Sequence, residues 1–246
     1  GGRSQEYNQE FAAIHHASVV SGLHGPCFPP SPTLSGLPGR QGPFIPARPR
    51  RTFRITAVRS VDDLLTESTS ADDIPFWAVP WHAAVGLCEF LCERREQIRG
   101  KRVLELGTGL GLCGLVARWL GAEVTLNDYQ PDALEFALWN AQQNGITGVT
   151  TLLADWRHFP EVEPFEVVIA ADVLYERRLH DALRRVLTRC VRTHGRVWLA
   201  DPWRDTAWEF MVKMEQAGWR VDFSEHTAHL LESQQEVIVF DMRPPV

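Results

Sequence analysis

The sequence has no apolar run long enough to cross a membrane and no stretch dominated by lysine and arginine. A membrane helix needs about eighteen consecutive apolar residues, and the apolar residues of this chain, 44% of 246, are dispersed. The chain does not start with the charged and then apolar segment of a signal sequence. Its formal net charge is −6, and no basic stripe follows residue 50. We therefore expect a soluble protein that contacts neither membranes nor nucleic acid.

Cysteine is scarce, and its spacing excludes the common cysteine-based sites. The five cysteines form no C-x-x-C pair. Cys88 and Cys92 stand four residues apart on an expected helix and could share a metal ion, but no second cysteine pair accompanies them. We interpret the cysteines as reduced thiols of an intracellular protein and predict no metal site. His226 and His229 are assigned to a surface or substrate-side loop rather than to a metal.

Acidic residues are absent from Phe11 to Val61, and half of the sixteen prolines fall within the first fifty residues. Such a segment buries too little apolar surface to offset its ordering entropy. We predict a disordered or loosely ordered leader at 1–50 and one folded domain at 51–246. The arginine-rich leader also resembles an organelle transit peptide, although its prolines break the helix that such peptides form. We expect a cytoplasmic monomer, with organelle targeting as the alternative.

From residue 51 onward, segments typical of strands alternate with segments typical of helices. Phe53, Ile55 and Ala57 alternate with polar residues, as in a strand, and a helical segment follows at 61–65. An aromatic loop at 75–81 precedes a helix expected at 82–95. Further strands are expected at 101–106, 123–127, 150–154, 166–171, 196–200, 220–223 and 236–240, and helices at 111–120, 131–144, 179–192 and 206–217. This alternation predicts an α/β fold, a mainly parallel sheet with helices on both faces, which binds ligands at the carboxyl ends of its strands.

Three glycines, Gly107, Gly109 and Gly111, directly follow the strand expected at 101–106 and open a helix. Glycines there let the backbone turn sharply and approach a ligand without interference from Cβ atoms. Dinucleotide-binding sites space their glycines as G-x-G-x-x-G, but Leu112 occupies the third position, and the pattern here is E-x-G-x-G-x-G. The turn therefore indicates a nucleotide-type site without identifying its ligand.

Acidic residues stand at or next to the ends of three successive strands. Glu105 could receive the positively charged amino group of a methionine moiety, directly or through water, or it could be a carboxylate at the rim of the sheet. Asp128 could accept hydrogen bonds from both hydroxyls of a ribose, or cap the next helix. Asp155 and Trp156 could supply an acceptor and a flat apolar surface for an adenine, although a tryptophan there could also be core. Their common position at one sheet edge favours one shared ligand.

Six short motifs are spread over the chain from about residue 74 to its end. They are Pro75-Phe-Trp-Ala-Val-Pro-Trp81, Glu105-Leu-Gly-Thr-Gly-Leu-Gly111, Asn127-Asp128, Asp155-Trp156, Ala171-Asp-Val-Leu-Tyr175 and Ala200-Asp-Pro-Trp-Arg204. Together they resemble the seven-β-strand, S-adenosylmethionine-dependent methyltransferases of protein-lysine methyltransferase family 16. The resemblance implies a Rossmann-like sheet of seven mainly parallel strands, with helices on both faces.

The resemblance also implies a site. S-adenosylmethionine would be the cofactor, contacted by Trp77, Gly107, Thr108, Gly109, Asp128, Trp156 and Ala171, and Glu105 and Asp155 complete the expected cofactor site. Asp172 and Tyr175 would face the substrate amine and are the expected catalytic residues. The chain departs from the family at His82, where Trp-Pro is frequent, and at Trp203, which replaces a common glycine. Both positions are expected near the substrate mouth, so they bear on the acceptor rather than the cofactor.

These observations predict in-line transfer of a methyl group to a lysine side chain of a protein substrate. The main requirement of that reaction is that donor and acceptor are held aligned. Asp172 and Tyr175 could orient the amine, accept its proton or relay it to water, and we expect orientation first. Trp77 and Trp81 could exclude water and pack on a cation, or simply close the sheet edge. A small-molecule acceptor and a catalytically idle nucleotide-binding module are the alternatives.

Overall fold

The computed structural model describes residues 17–21, 51–58 and 75–245. The expected leader, residues 1–50, lies outside these ranges except for the strand Ala17–Ser21, which pairs antiparallel with the strand Arg54–Val58. The helical segment expected at 61–65 also lies outside the described residues. The boundary between leader and domain at residue 51 stays a prediction.

Within the described ranges the chain forms nine strands and six α-helices. The strands are β1 Ala17–Ser21, β2 Arg54–Val58, β3 Arg102–Leu106, β4 Glu123–Asp128, β5 Thr150–Leu153, β6 Phe165–Ala171, β7 Val191–Asp201, β8 Arg220–Leu230 and β9 Ser233–Arg243. The helices are α1 His82–Glu93, α2 Arg95–Ile98, α3 Leu112–Trp119, α4 Pro131–Gln143, α5 His180–Cys190 and α6 Asp205–Gln216. None of the helices in these ranges is both long and apolar enough to cross a membrane.

Seven strands form one sheet in the order β5-β4-β3-β6-β7-β9-β8. The first five run parallel, β9 runs antiparallel to β7, and β8 runs antiparallel to β9. From β3 the chain moves outward through β4 and β5 and then returns to the other side of β3 as β6. In α/β sheets, ligands bind at the carboxyl ends of the strands where the order reverses in this way. The ligand site is therefore expected at the ends of β3 and β6.

Alternate residues of the central strands face two hydrophobic layers. Val103 of β3 packs into a layer with α1, α3 and α4, whereas Leu104 packs into a layer with α5 and α6. Trp198 of β7, fully buried in the first layer, meets Phe90 of α1 edge to face at 5.2 Å. The predicted fold class, a mainly parallel seven-stranded sheet with helices on both faces, is confirmed.

Two buried asparagines of the α4 region hold β2 against the domain. The side-chain amide of Asn140 accepts a 2.8 Å hydrogen bond from the backbone N of Thr56 and donates a 3.0 Å bond to the carbonyl of Leu110. Asn144 bonds both the N and the O of Arg54, at 2.9 and 2.7 Å. Among the described residues, no strand neighbours β2 on the side that faces α4, and the two side-chain amides take the place of its backbone partners. Since Asn140 also binds Leu110, β2 is held beside the glycine turn.

The interpretation of His226 and His229 as loop residues is wrong. Both lie on β8, because β8 and β9 extend over eleven residues each and form one long antiparallel hairpin. The ring of His226 packs edge-on against Phe90 at 5.8 Å. The short apolar segments at 220–223 and 236–240 mark only parts of these strands, since the rest of the hairpin is largely exposed and polar.

The expectation that the cysteines are reduced thiols is confirmed for three of them and wrong for one, and Cys27 lies outside the described residues. Cys88, Cys113 and Cys190 are free and buried. Cys92 is disulfide-bonded. A disulfide forms between cysteines that are close in space, and the spacing of cysteines along the chain does not show which of them are close.

Candidate functional site

A cleft of about 320 Å³ opens at the carboxyl ends of β3, β4 and β6. Every site residue expected from the sequence lines it, namely Trp77, Glu105, Gly107, Thr108, Gly109, Asp128, Asp155, Trp156, Ala171, Asp172 and Tyr175. These residues come from five separate segments, so the fold brings them together. Their individual roles in binding and chemistry stay predictions.

The glycine turn between β3 and α3 lies directly against the aromatic loop. Gly109 has a φ of +49°, and a Cβ atom added there would lie 3.1 Å from the carbonyl oxygen of Trp77. Only glycine adopts this conformation without strain, and only glycine leaves room for that carbonyl. The backbone N of Thr108 donates a 2.9 Å bond to the carbonyl of Asn127, which ties the turn to β4.

Glu105 is buried between β3 and α3, with 2% of its surface exposed. Its Oε2 accepts hydrogen bonds from the Thr108 hydroxyl and from the backbone N of Gly114, the latter at 3.0 Å. Burial raises the pKa of Glu105 to about 7, although these bonds act in the opposite direction. The alternative of a rim carboxylate is therefore wrong. The carboxyl group binds a backbone N in the first turn of α3 and also lines the cleft.

Gly114 is needed for this arrangement and was missed by sequence reasoning. A Cβ atom at this position would lie 2.5 Å from Oε2 of Glu105 and 2.2 Å from Cδ2 of Leu126. These distances are shorter than van der Waals contact allows, so any larger residue would displace the carboxyl group or the core side chain. The signal in the sequence was a fourth glycine just inside the helix.

Asp128 ends β4 and ties the glycine turn to the loop before α4. Its Oδ2 accepts a 3.0 Å bond from the backbone N of Gly109, and its Oδ1 accepts a 3.0 Å bond from the backbone N of Gln130. Burial raises the pKa of the Asp128 carboxyl. Helix α4 takes Gln130 as its N-cap, so the alternative of Asp128 as the capping residue is wrong. Each oxygen retains a lone pair with which it could accept a ribose hydroxyl.

Asp155 and Trp156 form the start of a short 3-10 helix after β5. Asp155 accepts a 2.8 Å bond from the backbone N of Arg157 and forms an ion pair with its guanidinium at 2.6 Å. The side-chain bond with Arg157 is the main reason that the pKa of Asp155 is lowered. A carboxylate so engaged has less capacity to accept an adenine amine than the sequence suggested. Trp156, half-buried, presents the flat surface.

Four exposed aromatic side chains line the cleft, namely Phe76, Trp81, Tyr129 and Tyr175. We call three of them, Phe76, Trp81 and Tyr175, the aromatic rim. The Phe76 ring lies 6.3 Å from that of Trp81 and 6.2 Å from that of Tyr175. The indole Nε1 of Trp81 donates a 2.9 Å bond to the carbonyl of Phe76. Trp77 lies deeper and packs edge-on against Phe136 at 5.3 Å. Phe76 was not assigned from the sequence, although it belongs to the aromatic motif.

Asp172 follows β6 in a left-handed backbone conformation with a φ of +61°. Its Oδ1 lies 2.5 Å from Nη1 of Arg204, which also lies 3.0 Å from Oδ2 of Asp201. Burial raises the pKa of Asp201, although its bonds to Arg204 act against this shift. The sequence analysis assigned no role to Arg204 and Asp201, because Asp172 lies about thirty residues earlier in the chain, just after β6.

Tyr175 lies three residues beyond Asp172, 43% exposed at the mouth. Burial of the phenol, helped by the nearby Glu176 carboxylate, raises the pKa of Tyr175 to about 12. The hydroxyl group therefore stays protonated at neutral pH and can donate or accept a hydrogen bond, but it is not a base there. Among the described residues, no group of three or more histidine, cysteine, aspartate or glutamate side chains is placed to hold a metal ion.

Trp203 has a φ of +64° and is 39% exposed. This conformation explains physically why a glycine is common at that position in the family that the sequence resembles, because a side chain there costs about 1–2 kcal/mol. The Trp203 ring recovers a contact with Trp208, whose ring centroid lies 5.8 Å away. His82, the other departure, is bonded through Nε2 to the hydroxyl of Ser233 at 2.9 Å, at the tip of the β8–β9 hairpin.

Comparison with known proteins identifies the family of the chain. The family described as lysine methyltransferase matches residues 65–217. The chain is 39% identical over 117 residues to Protein N-lysine methyltransferase METTL21A of Danio rerio, which covers 45% of this chain and 53% of that protein. It is 30% identical over 132 residues to the Electron transfer flavoprotein beta subunit lysine methyltransferase of Homo sapiens, covering 53% and 50%. The chain spans about half the length of the curated relatives it matches.

Among solved structures, the ribosomal protein L11 methylase of Lactobacillus delbrueckii subsp. bulgaricus is similar, with a TM-score of 0.52. The two share 19% identity, over 67% of this chain and 77% of that one. At this identity the similarity concerns the fold alone. The family match, by contrast, covers more than half of the sequence, and this chain belongs to the lysine methyltransferase family.

Proposed function

We propose that this chain transfers a methyl group from S-adenosylmethionine to the side-chain amine of a lysine in a protein substrate. The observation that carries the proposal is that Asp172 and Tyr175 line the same cleft as the glycine turn. A cofactor on the turn and an amine at the end of β6 would thus meet inside one cavity. Membership of the lysine methyltransferase family, and relatives named for lysine methylation, support the same acceptor.

The donors and acceptors of the cleft fit S-adenosylmethionine. Glu105 supplies a buried acid beside the glycine turn for an amino group, and Asp128 supplies carboxylate oxygens for the ribose hydroxyls. Trp156 supplies an apolar face for the adenine. When bound, this cofactor provides an electrophilic methyl group on a positively charged sulfur.

Asp172 and Tyr175 would orient the acceptor rather than take its proton. One carboxylate oxygen of Asp172 is already paired with Arg204, and the Tyr175 hydroxyl stays protonated because burial raises its pKa to about 12. Both groups can still accept a hydrogen bond from an amine, which aligns its lone pair for in-line attack. The proton of a lysine ammonium would leave to solvent through the open mouth, before transfer.

The aromatic rim would receive the lysine side chain. Phe76, Trp81 and Tyr175 are all exposed at the mouth, and the Phe76 ring lies 6.3 and 6.2 Å from the rings of the other two. Aromatic faces pack against the methylene groups of a lysine, and a cation over them gains about 0.5–2 kcal/mol. A rim of this kind would hold the methylene groups of the lysine side chain at the mouth of the cleft.

Labelling with deuterated methyl groups tests the proposal. Purified protein is incubated with cell extract and S-adenosylmethionine carrying a deuterated methyl group, and mass spectrometry locates the label. We expect label on the Nζ atom of lysine in one or a few proteins, lost with Asp172→Asn and retained with Asp181→Asn, an exposed acid on α5. Label confined to small molecules would favour a metabolite acceptor. No label in any fraction would contradict the proposed activity.

A further inference from the structure

Arg204 connects the ends of two neighbouring strands at the cleft. Its Nη1 lies 2.5 Å from Oδ1 of Asp172 and 3.0 Å from Oδ2 of Asp201, and its backbone N donates a 2.7 Å bond to Oδ1 of Asp201. Asp201 is fully buried. The residues before the two acids, Ala171 and Ala200, are register partners on β6 and β7. Asp201 therefore holds the Arg204 side chain in place, and the Arg204 guanidinium in turn holds the Asp172 carboxylate.

Asp172 needs an external partner because of its backbone. A non-glycine residue with positive φ persists only where its surroundings determine the conformation. Asp172, at φ +61°, has two such contacts: its backbone N donates a 2.9 Å bond to the carbonyl of Ala200, and its Oδ1 binds Arg204. Its Oδ2 has no hydrogen-bond partner among the described residues, and the residue lines the cleft. One oxygen is thus held and the other is left for a ligand.

We propose that Arg204 is a positioning residue for the transfer reaction: it holds the Asp172 carboxylate in place and leaves its second oxygen to bind a cationic amine. The inference rests on the proposed function for the identity of the acceptor, but not for the way in which Asp172 is held. Arg204 acts through Asp172 and is not itself in contact with the reacting atoms.

The charges of this cluster favour a cationic acceptor. Two carboxylates, Asp172 and Asp201, share the single guanidinium of Arg204, so with both acids ionised one negative charge is left unbalanced. The guanidinium carbon also lies 6.0 Å from the ring centroid of Tyr175, so Arg204 lies beside both expected catalytic residues. An ammonium group entering the cleft would neutralise the cluster, whereas a neutral acceptor would not.

A lysine in place of Arg204 would supply only part of this function. The guanidinium is a planar group with several donors in fixed directions, while an ammonium is a point charge on a flexible stem. Arg204→Lys keeps the charge and Arg204→Gln removes it. Arg196 offers a matched control, because it forms a similar ion pair with Asp241, at 2.6 Å. The side chains of Arg196 and Asp241 are 34% and 12% exposed, and those of Arg204 and Asp172 are 33% and 9% exposed. Arg196 does not line the cleft.

Crystal structures of these variants test the positioning role without reference to activity. In Arg204→Gln we expect Asp172 to leave its left-handed conformation and its side chain to move, whereas in Arg196→Gln we expect Asp172 to stay as in the wild type. An unchanged Asp172 in Arg204→Gln would overturn the inference, whatever the acceptor is. Arg204→Lys provides a second variant if the glutamine variant does not fold.

Kinetics with the labelled acceptor then separate positioning from a merely structural role. We expect Arg204→Gln to bind S-adenosylmethionine normally but to lower kcat by about tenfold or more, with partial recovery in Arg204→Lys. Asp201→Asn, which removes the unbalanced charge but keeps only one of the two acceptor oxygens that bind Arg204, should raise KM for the acceptor more than it lowers kcat. Unchanged kcat and KM in Arg204→Gln would refute the inference. A wild-type protein without any transfer would instead refute the proposed function, and the crystallographic comparison would still decide the role of Arg204.

Discussion

The indole Nε1 of Trp156 donates a 3.0 Å hydrogen bond to Oδ1 of Asn127, a fully buried side chain near the end of β4. The Nδ2 of Asn127 donates two further bonds, both 2.9 Å, to the carbonyls of Leu152 and Ala154. One amide thus joins the ends of β4 and β5 and fixes the plane of the indole. The ring is held beside the glycine turn before any ligand arrives, and such preorganisation reduces the ordering cost of binding.

Two substitutions of Trp156 separate the contribution of its flat ring from that of its hydrogen bond to Asn127. Trp156→Phe keeps a flat surface but leaves Oδ1 of Asn127 unpaired, so we expect a loss of about 1 kcal/mol in the free energy of unfolding and a small loss of cofactor affinity. Trp156→Ala removes the surface itself and should weaken binding by about tenfold or more. Thermal unfolding and calorimetric titration measure the two effects. Normal affinity in the alanine variant would show that the adenine does not lie on this ring.

Cofactor affinity should depend on pH through Glu105. Burial raises the pKa of this acid to about 7, so in the free protein it is mostly protonated at pH 6 and mostly ionised at pH 8. A cationic amino group binds the ionised form, so affinity should fall as the pH falls, by about tenfold between pH 8 and pH 6. Titration calorimetry at several pH values measures this slope.

Glu105→Gln is the control for the pH dependence. The amide is nearly isosteric and does not titrate, so the variant should bind more weakly and with a flatter pH profile. The assignment of Glu105 to the amino group would be wrong if the variant kept both the affinity and the full slope of the wild type.

Two glycines with positive φ, Gly109 and Gly145, allow the effect of backbone strain to be separated from that of a steric clash. Gly145 has a φ of +61° and open space where a Cβ atom would lie, so Gly145→Ala should cost only the backbone strain of about 1–2 kcal/mol. In Gly109→Ala the new Cβ would also lie 3.1 Å from the carbonyl oxygen of Trp77, inside the cleft. We expect a larger loss of stability and a loss of cofactor affinity with Gly109→Ala alone. Equal effects on both properties in the two variants would contradict the close approach of turn and aromatic loop.

The Tyr175 hydroxyl should affect the rate without titrating. Because burial raises its pKa to about 12, the group remains protonated across the range in which a methylation assay is run. Tyr175→Phe should therefore lower kcat at every pH by a similar factor and leave the shape of the pH–rate profile unchanged. Loss of an alkaline limb below about pH 10 in the variant would show that the tyrosine acts as the base.

Much of the fold was predictable because local patterns and strand order agree. Helix α4 starts at a proline and ends before Asn144-Gly, and each predicted strand of the parallel half matches an observed one to within one or two residues, apart from β7, which starts five residues earlier. The grouping of the site also followed from the sequence, since carboxyl ends of parallel strands lie at one edge. Asp128, Asp155 and Asp172 all lie there, each at or just after the end of its strand.

What the sequence did not predict depends on register and on side-chain pairing across strands. The bridge from Arg204 to Asp172 exists because Ala171 and Ala200 are opposite each other on β6 and β7, and no local pattern fixes that register. The fit of Glu105 against Gly114 depends on how closely α3 approaches β3. Three further expectations stay predictions: the extent of the leader, the cytoplasmic location and the monomeric state.

Calorimetric titration of S-adenosylmethionine into the wild type and into Asp128→Asn tests the central claim most directly. Asparagine keeps one acceptor oxygen for the backbone N of Gly109 or Gln130 but loses the charge and the second acceptor for the ribose. Asp132→Asn, an exposed acid in the first turn of α4, is the matched control. We expect one cofactor per chain in the wild type and the control, and affinity lowered by about tenfold or more in Asp128→Asn. No binding by the wild type, or equal affinity in all three proteins, would contradict the assignment of this cleft as the cofactor site.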